Sequence, residues 1–210
     1  MTRRPRRSDH YTRLAKQQSY PARSVFKLKE IDEKLGLIRP GHAVLDLGCA
    51  PGSWLQYASS RVGDRGIVVG VDRHGLKIPL PPNARYLGLD ALALTQADLA
   101  AAFAGPFDVV LSDMAPHTSG SRFVDQQRSL RLFQRALVLA RQHLKPGGAF
   151  VGKIFQGEDL EFARAEARSF FDVVQLVRPQ ATRKQSYEVY LVCQGRAREE
   201  AVEKKPDAPV

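Results

Sequence analysis

Along this chain, short apolar stretches alternate with helical ones, and that alternation restricts the fold more than any other feature. Val44–Gly48, Ile67–Asp72, Arg85–Asp90, Phe107–Asp113, Ala149–Phe155 and Phe171–Val177 read as strands. Helices are predicted over residues 22–36, where Val25, Leu28, Ile31 and Leu35 recur at helical spacing, and over 53–62, 96–104, 124–144 and 160–169. Gly36, Arg39-Pro40-Gly41, Gly105-Pro106 and Lys145-Pro146-Gly147-Gly148 supply the breaks between them. Strands this apolar are buried on both faces, which requires mainly parallel pairing with helices above and below. Tyr187–Cys193 follows the sixth strand with no helix between, so the last strand is expected to run antiparallel. The chain is predicted to be one α/β domain over residues 21–195, with a seven-stranded, mainly parallel sheet. A basic, flexible segment at 1–20 and a charged, disordered tail at 196–210 flank it.

In sheets of this kind, ligands sit at the carboxyl ends of the strands, near the point where the strand order reverses. The informative residues should therefore follow the strands. After the first comes Asp46-Leu-Gly48-Cys-Ala-Pro51-Gly52-Ser-Trp54, where Gly48 and Gly52 let backbone approach a ligand. The turn is neither the dinucleotide fingerprint, because Ala50 stands at its second glycine, nor a phosphate loop, because the lysine is missing. That leaves little for a nicotinamide-dependent dehydrogenase. The second strand ends in Asp72, placed to accept from ribose hydroxyls, and the third in Asp90, placed to accept from an exocyclic adenine amine. Each acid alone would pass for a strand-end or cap residue; three around one glycine turn are harder to assign to chance. Asp113 ends the fourth strand, and Lys153 lies in the fifth among apolar neighbours, where an ammonium is costly unless paired. Glu188 opens the last strand. Lys27 and Lys29 both lie on the first predicted helix, and helical spacing does not separate them.

Charge points to the partner. The formal net charge is +10, and residues 1–30 alone hold Arg3, Arg4, Arg6, Arg7, Arg13, Lys16, Arg23, Lys27 and Lys29 against Asp9 and Glu30. Such a block suits a polyanion, since each neutralised phosphate releases counterions. Tyr11 and Tyr20 lie within it and could stack on bases. No apolar run approaches a membrane span, and the basic start is followed by no apolar core of a secretory signal, so a cytoplasmic protein is expected. Cys49 and Cys193 form no metal spacing or disulfide framework, and the five histidines are scattered, so no metal is expected.

Five segments together, FKL at 26–28, DLGCAPGSW at 46–54, SDMAP at 112–116, GKIFQG at 152–157 and SYEVYLV at 186–192, resemble the FtsJ/RlmE family of ribose 2′-O-methyltransferases. They occur in family order and span nearly the whole domain. The resemblance implies a Rossmann-like fold that binds S-adenosyl-L-methionine and a catalytic set of Lys27, Asp113, Lys153 and Glu188. Lys27 is favoured over Lys29 by its F-K-L setting. It also implies cofactor contacts at Gly48, Pro51, Gly52, Trp54, Asp72, Asp90 and Asp113. This chain departs from the family pattern at Cys49, at Ser53 and in the long proline-rich loop at 73–83. The implied substrate is a uridine in the A-loop of 23S ribosomal RNA within the large subunit, with the enzyme acting as a monomer. Two roles stay open for Lys153: base toward the 2′-hydroxyl, or ammonium that orients it and stabilises negative charge on oxygen. Methylation of tRNA or an mRNA cap is the rival reaction. A non-catalytic RNA-binding ribosome-assembly factor is the rival class, against which the intact lysines and acids argue.

Overall fold

The computed structural model describes residues 10–196. Its elements are α1 (His10–Gln17), α2 (Val25–Leu35), β1 (Ala43–Leu47), α3 (Ser53–Val62), β2 (Ile67–Val71), β3 (Ala84–Leu87), α4 (Gln96–Ala102), β4 (Phe107–Ser112), α5 (Arg122–His143), β5 (Leu144–Phe155), α6 (Leu160–Arg168), β6 (Phe171–Val177) and β7 (Glu188–Arg196). One seven-stranded sheet has the order β3-β2-β1-β4-β5-β7-β6. The β3–β2, β2–β1, β1–β4 and β4–β5 pairs are parallel, and β7 lies antiparallel between β5 and β6. The expected mainly parallel sheet with an antiparallel last strand is thus the observed one. Strand order reverses between β1 and β4, where two loops diverge and leave a crevice.

Burial follows the sequence pattern. Every residue of β1 is buried, as a parallel strand between two helical layers demands. On one face, Phe133, Ala136, Leu137 and Ala140 of α5 pack with Leu45, Val110 and Phe150. On the other, Leu28 and Ile31 of α2 and Leu55 and Ala58 of α3 pack with Val44, Val109 and Tyr190. Gly36 stops α2 in a left-handed conformation (φ 62°), its N–H donating to Asp32 O at 2.7 Å. Thr95 and Asp98 close a reciprocal capping box at the start of α4.

Three elements differ from expectation. Residues 10–17, expected within a flexible arm, form α1. Ala15 is buried, and the Tyr11 ring lies 5.5 Å from Phe26, so a short apolar edge anchors a segment whose composition reads as tail. The remainder of that arm, 1–9, and the expected tail beyond Arg196 lie outside the described residues. Strand β5 begins at Leu144, five residues early. Leu144 pairs with Phe107 across a register shift, so the Lys145-Pro146-Gly147-Gly148 turn falls in a bulge, which tolerates proline and glycine. Strand β3 stops at Leu87, leaving Asp90 in the following loop.

One buried carboxylate ties α2 to α3. Asp32 accepts from the Ile38 amide (2.8 Å), the Tyr57 hydroxyl (2.8 Å) and Arg61 Nε (3.1 Å). Asp32→Ala strands a buried amide and a buried hydroxyl at once. It is expected to cost about 3 kcal/mol in urea unfolding, and a loss under about 1 kcal/mol would mean that water replaces the carboxylate.

Candidate active site

Asp113 follows β4 directly, and polar side chains from β5 and β7 converge on it. Lys153, 5% exposed in β5, donates from Nζ to the Asp113 carbonyl (2.6 Å) and to Oδ1 (3.0 Å). The hydroxyl of Tyr190, opposite Lys153 in the β5–β7 register, donates to the same Oδ1 at 2.7 Å. Two residues along β7, Glu188 forms an ion pair with Lys27 of α2, whose ammonium lies 6.0 Å from the Tyr190 ring centroid. The four residues expected to act together do meet, as two linked ion pairs. Lys29 lies instead 3.9 Å from Glu33 on its own helix, so Lys27 is the one of the two that the fold brings to this group.

Burial would by itself raise the Asp113 carboxyl. The Lys153 and Lys27 ammonium groups, with hydrogen bonds from Tyr190 and Lys153, outweigh it and hold the carboxyl below the usual carboxylate range. Tyr190 is pushed the other way, first by burial and then by Asp113 and Glu188, and so remains a neutral donor. Sequence reasoning missed Tyr190. The signal was present, because period-two alternation in Ser186-Tyr-Glu-Val-Tyr190 puts residues 188 and 190 on one face.

Beside this group, over β2, β1 and β4, opens a cavity of about 590 Å³. Gly48, Asp72, Asp90 and Asp113 line it, as expected, and Leu89, Leu92 and Met114 give it apolar walls. His117, Arg128 and Arg131 add a basic side that the sequence did not single out. Gly48 has φ 80°, and a Cβ there would lie 2.8–3.0 Å from Met114 Cγ, Cα and N, so the two loops meet only across a glycine. Asp72 accepts from the Ala50 amide (3.0 Å) and the His74 amide (2.8 Å), leaving each oxygen one further lone pair toward the cavity.

Pro51, Gly52 and Trp54 do not line the cavity; they shape its wall. Pro51 O accepts from the Lys77 amide at 2.9 Å, which folds the 73–83 loop back on the turn. A Cβ on Gly52 would collide with Ile78 of that loop. Trp54 is buried, its indole N–H donating to Ser24 O (2.9 Å) and its ring 5.8 Å from that of Tyr190. Both cysteines are buried; burial pushes the Cys193 thiol up to about 12 and raises Cys49 also.

A doubly wound sheet with an antiparallel β7 beside its edge, a cavity at the reversal point and a buried Asp–Lys pair on its rim define the Rossmann-like methyltransferase class. Comparison with known proteins gives the particular member. The family model described as FtsJ-like methyltransferase matches residues 20–196. The chain is 52% identical over 187 residues to ribosomal RNA large subunit methyltransferase E of Sorangium cellulosum, covering 89% of this chain and 87% of that one. It is 46% identical to the Myxococcus xanthus protein of the same name, over 94% and 93% of the two chains. A Plasmodium falciparum structure assigned as a ribosomal RNA methyltransferase has the same fold, with a TM-score of 0.74 and 24% identity over 84% of this chain and 98% of that one. The chain belongs to the FtsJ-like methyltransferase family.

Asp46, in the middle of the sheet, has both carboxylate oxygens buried with no hydrogen-bond partner. Burial first, then the charges of Asp113 and Asp72, pushes it well above the usual carboxylate range. A carboxyl raised by folding favours the folded state fully only below its unfolded value near about pH 4, and that stability is lost as pH rises through the raised value. The Tm advantage of Asp46→Asn over wild type is therefore expected to widen from pH 5 to pH 9. A constant difference between the two melting curves would remove Asp46 as the titrating group.

Proposed function

We propose that this enzyme methylates the 2′-hydroxyl of a ribose in RNA, using S-adenosyl-L-methionine, and that the target is a uridine in the A-loop of 23S ribosomal RNA. The observation that carries the reading is the buried Lys153–Asp113 pair on the cavity rim, braced by Lys27–Glu188. The names of the relatives support a large-subunit RNA as substrate. The net charge of +10 suits such a partner, as do Arg128 and Arg131 on the cavity wall. Work as a monomer in the cytoplasm, on RNA in the large subunit, belongs to the same reading.

The cavity fits a nucleoside that carries a cationic amino-acid arm. Its volume lies within the usual range for a small-ligand site. Asp90 and Asp72 offer carboxylates for the adenine amine and the ribose hydroxyls, between Leu89, Leu92 and Met114. Gly48 leaves room that a Cβ would fill, and Asp46 keeps two unpartnered oxygens beneath the same turn. S-adenosylmethionine supplies, when bound, a methyl group already activated by its positive sulfur. The chain must align the acceptor oxygen and remove its proton, and alignment alone supplies a large share of such accelerations. Once its ammonium has given a proton to solvent, Lys153 takes the proton of the hydroxyl: the 2′-O–H bond breaks and an N–H bond forms. Asp113, within 3.0 Å, then pairs with the ammonium, while Tyr190 keeps that carboxylate aimed. Glu188 holds Lys27 near this pair, and the charge of Lys27 would add to the stabilisation of the developing alkoxide.

Lys153→Ala is expected to lower single-turnover methyl transfer by about 10³-fold, within the span of acid–base contributions, with cofactor binding by titration calorimetry unchanged. Lys153→Arg, which keeps a cation but cannot release its proton, should be as impaired as Lys153→Ala; transfer retained in it would leave Lys153 as an orienting ammonium only. Incubating the enzyme with radiolabelled cofactor and, separately, large subunits, small subunits, free rRNA and tRNA, followed by mapping of the label, tests the substrate. Label on an A-loop ribose supports the reading, and label on a base or on tRNA overturns it.

A further inference from the structure

Across the sheet from the two ion pairs, at the first turn of α5, an aromatic–cationic stack reaches the surface. Tyr187 immediately precedes β7, so its side chain points to the sheet face opposite that of Glu188 and Tyr190, toward α5. There the guanidinium of Arg122, the first residue of α5, lies 5.2 Å from the Tyr187 ring centroid. The Phe155 ring meets Tyr187 edge-on at 5.4 Å. The backbone is pinned as well: the Gln156 amide donates to Tyr187 O at 2.8 Å, and Gln126 of α5 donates to Gln156 O at 2.9 Å. The platform is therefore rigid on its inner side, while Arg122 is exposed on its outer side. Phe123, next to it, is 65% exposed.

Packing alone accounts for Phe155 against Tyr187. It does not account for an exposed Arg122 guanidinium over the ring of Tyr187, the neighbour of Glu188 in the chain, with the exposed Phe123 beside that arginine. Rings and guanidinium planes are the surfaces on which unpaired nucleobases stack. Along the carboxyl edge of the sheet the cavity lies over β2, β1 and β4, while the ion pairs and this stack both lie at β5 and β7, on opposite faces. A nucleotide with its ribose at Lys153 lies at the carboxyl edge of β5, and Tyr187 stands at that same edge, at the start of the neighbouring β7 on the opposite face of the sheet. Arg183 and Lys184, exposed in the preceding turn, give the approach a positive charge suited to a phosphate chain. We infer that Tyr187 and Arg122 form a stacking site for an RNA base at or next to the methylated nucleotide. The inference rests on the RNA substrate proposed above and assigns that substrate a contact that neither the ion pairs nor the cavity provides.

Steady-state methylation of large subunits purified from cells lacking this methylation tests it, with Tyr187→Ala, Tyr187→Phe and Tyr187→Leu compared. One lost base–aromatic stack corresponds to roughly a tenfold change. Tyr187→Ala is expected to raise KM for the subunit about tenfold, with kcat and the KM for S-adenosylmethionine near wild type. Tyr187→Phe should restore KM, because it keeps the ring, and Tyr187→Leu should not. Arg122→Ala should raise KM in the same direction. A wild-type KM in Tyr187→Ala, or equal rescue by leucine and phenylalanine, overturns the stacking site and leaves the RNA reading intact. A wild-type enzyme inactive on every RNA overturns both.

Discussion

Lys153 places an ammonium inside a sheet, and the carboxylate of Asp113 is what makes that tolerable. Neither charge would be stable alone at such depth, since desolvation of an unpaired ion costs several kcal/mol. The pairing draws β4 to β5, and Tyr190 adds β7 through the same carboxylate oxygen. Lys27 and Glu188 then bring α2 to the start of β7. Four elements distant in sequence are thus registered by one connected set of charges. Lys153 faces Tyr190 directly in the antiparallel ladder, so a register slip of one residue would send one of them to the opposite face of the sheet.

This arrangement also separates two jobs along one sheet edge. The cavity occupies the reversal between β1 and β4, where Gly48 and Met114 bring two loops into contact without a side chain between them. The ion pairs occupy the next stretch, over β4, β5 and β7. The turn holding Pro51 and Gly52 is backed by the 73–83 loop, and Trp54 is sunk into α2 and β7. Residues that a motif groups as a single binding turn therefore divide into those that face the cavity and those that hold its wall still.

Much of this was legible in the chain before folding. Apolar strands alternating with helices are enough to require a doubly wound sheet, and all seven strands appear where the pattern puts them. Errors lie at ends, where local signals compete: β3 stops at Leu87 because nothing beyond it pairs, and β5 starts at Leu144 because a bulge absorbs Pro146 and Gly147. Helix α1 was missed because its eight residues offer only Tyr11, Leu14 and Ala15 as an apolar edge, which suffices only once Phe26 is present.

Residue identities by themselves determined the parallel sheet, the glycine turn after β1, the acids that follow the strands and the basic character of the chain, because each follows from local periodicity or charge. Which lysine of α2 enters the site was decided by tertiary structure, since Lys27 and Lys29 differ only in the direction each faces once α2 packs on α3 and β7. The same packing made Tyr190 a partner of Asp113, left Asp46 without one, turned Trp54 from the cavity toward the core, and set Tyr187 under Arg122. Each of those outcomes depends on contacts between residues far apart in the chain. No local pattern encodes the distance between such residues, and in this molecule that distance sets which charges are paired, which are stranded and where a substrate can lie.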